Sequence, residues 1–292
     1  MIKNLIKSAA GCGFLFLTNA AMSQQAIDLH IPYGPGGAGM AISTLAKEFL
    51  DTKGYKVDLK SLNSCAVTKQ AWDDTKTKFL TLWEDAYQSD RNKPCNIAFD
   101  DSNFIKVVWQ SYFYFCALPG KDKNAWKTKG SSYTVAHSQG LPIDKIFGNI
   151  DKHTGSTAKP VPYKNSGALA TAVAAKETDY AFVSSGTAKI IADGGQCFWG
   201  TAPDNLAINN ISNVKNQFKD NPVPDAGVSL WFMAKNMTPQ EMDKLRKDIA
   251  EFMDTPAWKS YMEARELKNV KDLSIEDQKA RMKRNQELLN QQ

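Results

Sequence analysis

At 292 residues the chain has the length for two lobes with real cores, and 42% hydrophobic with 23% charged residues is ordinary globular composition. These proportions exclude a disordered or membrane-embedded chain, and a net charge of +5 without a clustered basic and aromatic pattern speaks against nucleic acid as a partner. The one basic cluster, Lys279, Arg281, Lys283 and Arg284, reads as the solvated face of a terminal helix.

Residues 1 to 23 read as a secretory signal peptide. Lys3 and Lys7 precede the apolar run Ala9 to Leu17, and Ala21-Met22-Ser23 supplies a small-x-small cleavage site. The run is far short of the roughly 18 residues needed to span a bilayer, and no later segment approaches that length. Cleavage after Ser23 would send a chain beginning at Gln24 to the periplasm, and losing two lysines would lower the charge from +5 to +3. Cys12 leaves with the peptide. Cys65, Cys95, Cys116 and Cys197 remain, an even count in an oxidising compartment, which reads as two disulfides. There is no CxxC pair, and His30, His137 and His153 have no ligand spacing to one another or to the cysteines, so neither a metal nor a cofactor is expected. Of the three connectivities, Cys65 to Cys95 with Cys116 to Cys197 is favoured because the first closes one excursion; spacing leaves the other two open.

In the mature chain Ile27 to Ile31 alternates as a half-buried strand does, and Ile42, Leu45, Ala46, Phe49 and Leu50 recur at helical spacing. Between them lies Pro32-Tyr33-Gly34-Pro35-Gly36-Gly37-Ala38-Gly39-Met40, a glycine loop entering a helix. Bare amides and the positive end of a helix suit a phosphate or carboxylate; the structural alternative is a tight turn. Gly34, Gly36 and Gly39 match the dinucleotide fingerprint in letters, with Asp58 at the distance of the ribose-binding acid, but Pro32 interrupts the strand and Asp58 sits inside its own. A P-loop fails, because Met40 and Ala41 stand where Lys and Ser or Thr are required.

Further on, Gly54 to Leu59 reads as a second strand, a helical stretch runs through Trp72, and Phe79 to Trp83 is a third strand followed by Glu84 and Asp85. Those acids either meet a ligand or cap a helix through Tyr87. Asp90 to Pro94 is a turn, and Phe104 to Trp109 and Tyr112 to Leu118 are two strand-like runs. Ala136-His137-Ser138-Gln139-Gly140 resembles the nucleophile elbow of secreted esterases, with Ser138 as nucleophile. That mechanism needs a general-base histidine beyond the acid, yet only His153 follows, on the very next helix, Ile143 to Lys152. The surviving reading is a strand, a polar loop and a helix. Val161 to Leu169 forms a third such unit, Tyr180 to Val183 is a strand ended by Ser184-Ser185-Gly186 as an exposed loop, and Cys197 to Gly200 is a further strand. The last third reads as helical: Thr238-Pro239-Gln240-Glu241 is a capping box, Thr255-Pro256 starts another helix, and Ser274 the terminal one.

Taken in order, these pieces resemble the periplasmic solute receptors of tripartite tricarboxylate transporters. Pro32-Tyr33-Gly34-Pro35-Gly36-Gly37 matches their Pro-x-x-Pro-Gly-Gly loop, Tyr163-Lys164-Asn165-Ser166 through Val183 their Tyr-Lys-Gly-Ser segment, and Thr238-Pro239 with Thr255-Pro256 their two proline-started helices. Departures are the stretch Asn63 to Ala66, Asn165 in place of glycine, and Trp83-Glu84-Asp85 in place of a small serine-rich loop. The resemblance implies a two-lobed α/β periplasmic-binding-protein-like fold with the ligand cleft between the lobes. Lobe 1 would comprise residues 24–118 plus 223–292, and lobe 2 residues 119–222. It implies a monomeric receptor, not an enzyme, that captures a small organic carboxylate and presents it to membrane transporter subunits. By position, the ligand loops would offer Tyr33, Gly36, Gly37, Ala38 and Gly39; Trp83 and Glu84; Ser138 and Gln139; Tyr163, Ser166 and Gly167; and Ser184 and Ser185. The ligand's charge would meet the amides of Gly36 to Gly39. The alternative is a secreted serine hydrolase using Ser138.

Overall fold

The computed structural model describes residues 25–35, 37–84, 94–98, 100–138, 141, 143–164, 166–192, 194–202, 207, 211–219, 227–265, 270, 276, 277, 279, 280 and 283. The signal peptide, the Tyr87 helix, Asp85, Gly36, Gln139 and the start of the terminal helix lie outside them. The strands are β1 (Gln25–Ile31), β2 (Tyr55–Ser61), β3 (Phe79–Glu84), β4 (Phe104–Ala117), β5 (Ser132–Ser138), β6 (Thr157–Tyr163), β7 (Tyr180–Ser184), β8 (Gln196–Gly200) and β9 (Gly227–Lys235). The helices are α1 (Ala38–Thr52), α2 (Cys65–Asp74), α3 (Ile143–Thr154), α4 (Ser166–Ala174), α5 (Ser185–Ala192), α6 (Val214–Gln217), α7 (Pro239–Phe252) and α8 (Pro256–Glu263).

The strands join in the order β2-β1-β3-β9-β4-β7-β5-β6, with β8 on the far part of β4. Among the described strands, β4 carries the sheet from one half to the other. The first part of β4 pairs with β9, and from Phe113 onward it pairs with β7 and β8. The two strand-like runs of the sequence are therefore one strand of 14 residues, and the polar Gln110-Ser111 that seemed to part them sits at the crossing.

A second correction concerns the last third, which is not wholly helical. β9 lies between β3 and β4, antiparallel to both. Covered on both faces, it has no polar alternation to announce it, and Leu230 to Ala234 is unbroken and apolar. β6 carries Pro160 and Pro162 and is the edge strand, where a missing N–H costs no ladder bond.

The core follows the crossing. One apolar cluster joins β1, β3, β9 and the first part of β4 to α1, α7 and α8. The other half is split by its sheet. Phe113, Phe115 and Ala117 face α3 and Trp126, while Tyr112, Tyr114, Cys116 and Leu118 face α4 and α5. Cys65 bonds Cys95 and Cys116 bonds Cys197, the favoured pairing of the three. The Thr238 capping box has both its bonds, and Thr255 caps α8.

Candidate functional site

Strand directions decide where a site can form. β2 and β3 run parallel to β1, β9 runs against β3, and β4 against β9, so β4 travels with β1 to β3. β7 runs against β4, and β5 and β6 run with β7. The carboxyl ends of β1 and β3 therefore point at the carboxyl ends of β5, β6 and β7 across the crossing. In open α/β sheets this is where ligands are held.

The width of the gap can be read from the register. Glu84, the end of β3, pairs with Leu230, which pairs with Trp109; Ser184, the end of β7, pairs with Phe113. Four strand residues separate these levels, about 13 Å at 3.3 Å per residue. That spacing suits a small molecule.

On the first side, the loop after β1 leads into α1 with Gly37 as the N-cap in an extended conformation. No side chain caps the helix and no acid stands in its first turn, so its leading amides keep their positive end open. The loop is pinned from two directions. Ser61 Oγ donates to the Tyr33 carbonyl at 2.6 Å, and a Cβ on Gly34 would come within 2.8 Å of Asn63 Oδ1. Gly39 is closed off from above, because a Cβ there would lie 2.2 Å from the Tyr33 ring. Gly37 and Ala38 are half-buried at the helix entrance. At the end of β3, Trp83 is fully buried in the core beside its pair Trp231, whereas Glu84 is half-buried.

On the second side, Ser138 ends β5 half-buried, and Tyr163 ends β6 with its hydroxyl donating to Glu177 at 2.8 Å. Gly167 is half-buried in the first turn of α4, which Ser166 starts. The expected exposed loop at Ser184-Ser185-Gly186 is absent, since β7 passes directly into α5. Ser184 is half-buried. Ser185 is buried, lies 3.1 Å from Ser111 Oγ through its own hydroxyl, and gives its N–H to the same Ser111 oxygen. This serine pair joins β4 to the start of α5.

Sequence reasoning missed the floor of the gap. Gln110, Ser111 and Tyr112 of β4 pair with Ser229, Val228 and Gly227 of β9. Gln110 is 8% exposed and Ser229 fully buried, yet Gln110 Nε2 and Ser229 Oγ, on paired residues, have no hydrogen-bond partner. Their signal in the sequence was polar residues interrupting strongly apolar strands. Among the described residues no three His, Cys, Asp or Glu side chains gather as a metal site would require.

The esterase reading has a geometric test. Ser138 stands at the carboxyl end of β5, level with Tyr163, whereas His153 lies in the last turn of α3, just before Thr157, which pairs with Ser132 at the opposite end. Six strand residues, about 20 Å, separate those levels. His137 is buried and gives its Nδ1 proton to the Ser138 carbonyl, and burial holds its pKa below the ordinary value. It orients the strand end and does not reach for the hydroxyl.

Strand ends that face each other across the β4 crossing fit the two-lobed α/β fold of periplasmic binding proteins. No family model matches the sequence, and no curated protein matches it. Among solved structures, the chain is similar to the periplasmic binding protein BugD (14% identity, 90% of this chain and 95% of that one, TM-score 0.67). It is also similar to MatC from Rhodopseudomonas palustris with bound malate (14%, 91% and 99%, 0.62) and to an R. palustris protein with adipate (10%, 90% and 94%, 0.67). At these identities the likeness is one of fold, and that fold is the one found in TctC- and BugD-type solute-binding proteins.

Proposed function

We propose that the chain is an exported solute receptor of the tripartite tricarboxylate transporter type, which captures a small organic carboxylate between its lobes and delivers it to a membrane transporter. The observation that carries this reading is the uncapped start of α1, free of acids, opening onto a gap whose other wall is the ends of β5, β6 and β7. An open helix start favours an anion, and a gap of about 13 Å favours a small one. The similar structures that hold malate and adipate support the same ligand class. No helix among the described residues is long and apolar enough to cross a membrane.

In this reading the lobes meet between Tyr112 and Phe113 of β4, where pairing passes from β9 to β7. Gly37 and Ala38 face the ligand from lobe 1. Ser138, Tyr163, Gly167 and Ser184 face it from lobe 2, with the Gln110–Ser229 pair beneath. The protein binds without turnover, since Ser138 and His153 stand at opposite ends of β5 and β6. Calorimetry of the exported protein against mono- and dicarboxylates, amino acids and neutral sugars tests this. Carboxylate binding without chemical change is the expected result; ester turnover that disappears in Ser138→Ala, or binding of sugars alone, would sink it.

A further inference from the structure

The strand pairing of the second half puts its strand starts together at one end, away from the gap. Ser132 and Thr157, the first residues of β5 and β6, are paired, and Tyr180, the first of β7, pairs with Ala117, the last of β4. Three connections meet there: the segment 118–131, the turn from α3 into β6 and the turn from α4 into β7. In the sequence their lysines are scattered among acids and form no run. The fold gathers Lys123, Lys127, Lys129, Lys152 and Lys176 at this end, all of them exposed. The connections touch one another: Gly130 gives its N–H to the Gly155 carbonyl at 2.7 Å, and a Cβ on Gly155 would lie 3.0 Å from Lys129 Cγ.

The acids of the same end are turned to the fold's own donors. Asp122 accepts from the Asn124 N–H at 2.8 Å, Asp151 from the Ala158 N–H at 2.9 Å, Asp179 from the N–H and hydroxyl of Thr134 at 2.9 and 2.7 Å, and Glu177 from the Tyr163 hydroxyl at 2.8 Å. Among the described residues none of the five lysines is in an ion pair, and their neighbour Lys121 has only its 4.0 Å contact with Asp179. The backbone beneath them is fixed, because Trp126 is buried, its N–H meets the Tyr180 hydroxyl at 3.3 Å, and that hydroxyl donates to the Asp122 carbonyl.

The make-up of this face selects its partner. Protein interfaces are built on apolar and aromatic anchors, favour arginine and are poor in lysine. Here the three connections contain no arginine, and among the described residues the exposed large hydrophobic side chain is Val67, on α2 of the first half. Hydrated point charges without an apolar centre suit a surface that is negative throughout and has no shape to match.

We propose that this end of the second half is a docking face for anionic phospholipid headgroups, which holds the mature protein at a membrane surface by charge alone. The face lies the length of β5, about 20 Å, from the strand ends at the gap, so docking leaves the gap uncovered. The inference stands apart from the receptor reading and needs neither its ligand nor its transporter.

The test is sedimentation of the full mature protein with vesicles of phosphatidylglycerol and phosphatidylcholine, and with vesicles of phosphatidylcholine alone. Two triple variants remove the same charge from different places: Lys123→Gln with Lys127→Gln and Lys129→Gln on the face, and Lys56→Gln with Lys76→Gln and Lys247→Gln, exposed lysines of the first half. The parent should bind the anionic vesicles and not the neutral ones, and about 0.5 M salt should release it. The face variant should lose about tenfold or more of that binding, while the first-half variant keeps most of it. A parent that ignores the anionic vesicles, or an equal loss in the two variants, overturns the docking face. If the parent ignores them and yet loses a cross-link to a membrane protein in cells when the face lysines are changed, the face meets a protein, and the lipid proposal is overturned as well.

Discussion

The two halves of the molecule are held together by different means. In the first, α7 returns late in the chain and is tied to early elements by polar contacts: Tyr55 donates to Asp248 at 2.7 Å, Lys244 donates to the Tyr55 hydroxyl at 3.1 Å, Lys78 pairs with Glu241 at 2.5 Å, and Lys53 pairs with Glu251. The second half is one continuous stretch organised around Phe115, which stacks on Tyr180 and Trp199 at 5.0 Å and meets Trp126 and Phe147 edge-on. Among its described residues the ion pairing is a 4.0 Å contact between Lys121 and Asp179, while the Cys116–Cys197 bond staples β4 to β8. A half assembled from distant segments needs directional contacts to choose the right partners. A contiguous half can rely on aromatic packing and a covalent link.

The sharpest break of this contrast is Phe115→Ala, which should cost about 3–5 kcal/mol through the cavity it leaves among the rings. Denaturant unfolding followed by tryptophan fluorescence should show the loss, and a cost under about 1 kcal/mol would mean that Phe115 does not organise the second half. Next, replacing both Cys116 and Cys197 by serine should lower stability by about 2–5 kcal/mol, and adding reductant to that variant should then act only through Cys65–Cys95. A reductant effect as large as in the parent would transfer the main staple to the first half.

In the first half, Asp248→Ala strands the buried Tyr55 hydroxyl and should cost about 1–3 kcal/mol in urea unfolding. Thr238→Ala removes the side-chain half of the capping box and should cost about 0.5–2 kcal/mol. If the Thr238 variant proves the more damaging, the tie between α7 and β2 is weaker than its geometry indicates.

The smallest effect is shared by both halves. Burial lowers the pKa of His30 in the first and of His137 in the second, and Lys60 adds to the shift at His30. Each imidazole is therefore harder to protonate in the folded protein than in the unfolded chain, which takes up protons near the ordinary value of about 6.5. Their contribution to stability is present above that pH and is lost as pH falls below it toward the folded values. Melting temperatures should decline from pH 7 to pH 5, and His30→Gln with His137→Gln should flatten the decline. A flat parent profile across this window would show that neither histidine is desolvated enough to matter.

How much of this was readable in one dimension differs element by element. β1, α1 and β2 could be placed from alternation and helical spacing, since each buries one face. α7 and α8 announced themselves through Thr238-Pro239-Gln240-Glu241 and Thr255-Pro256, because capping is a contact between residues three apart. β9 was lost for the opposite reason: a strand buried on both faces looks like any apolar run. The direct passage from β7 to α5 was misread because Ser184-Ser185-Gly186 has the letters of a loop, and only Ser111 on a distant strand gives the buried Ser185 its partner.

By itself, then, the sequence determined what is local: the strands and helices that bury one face or carry a cap, which glycine loop enters a helix, and an even set of cysteines for pairing. Only the tertiary structure decided what depends on residues far apart. It set the opposed directions of β3 and β7, the gap between their ends, and the polar pair Gln110 and Ser229. Periodicity and capping act within a few residues and leave a trace in the order of letters. Strand register across the crossing is settled by packing between segments from about sixty to more than a hundred residues apart, for which a single sequence carries no local mark.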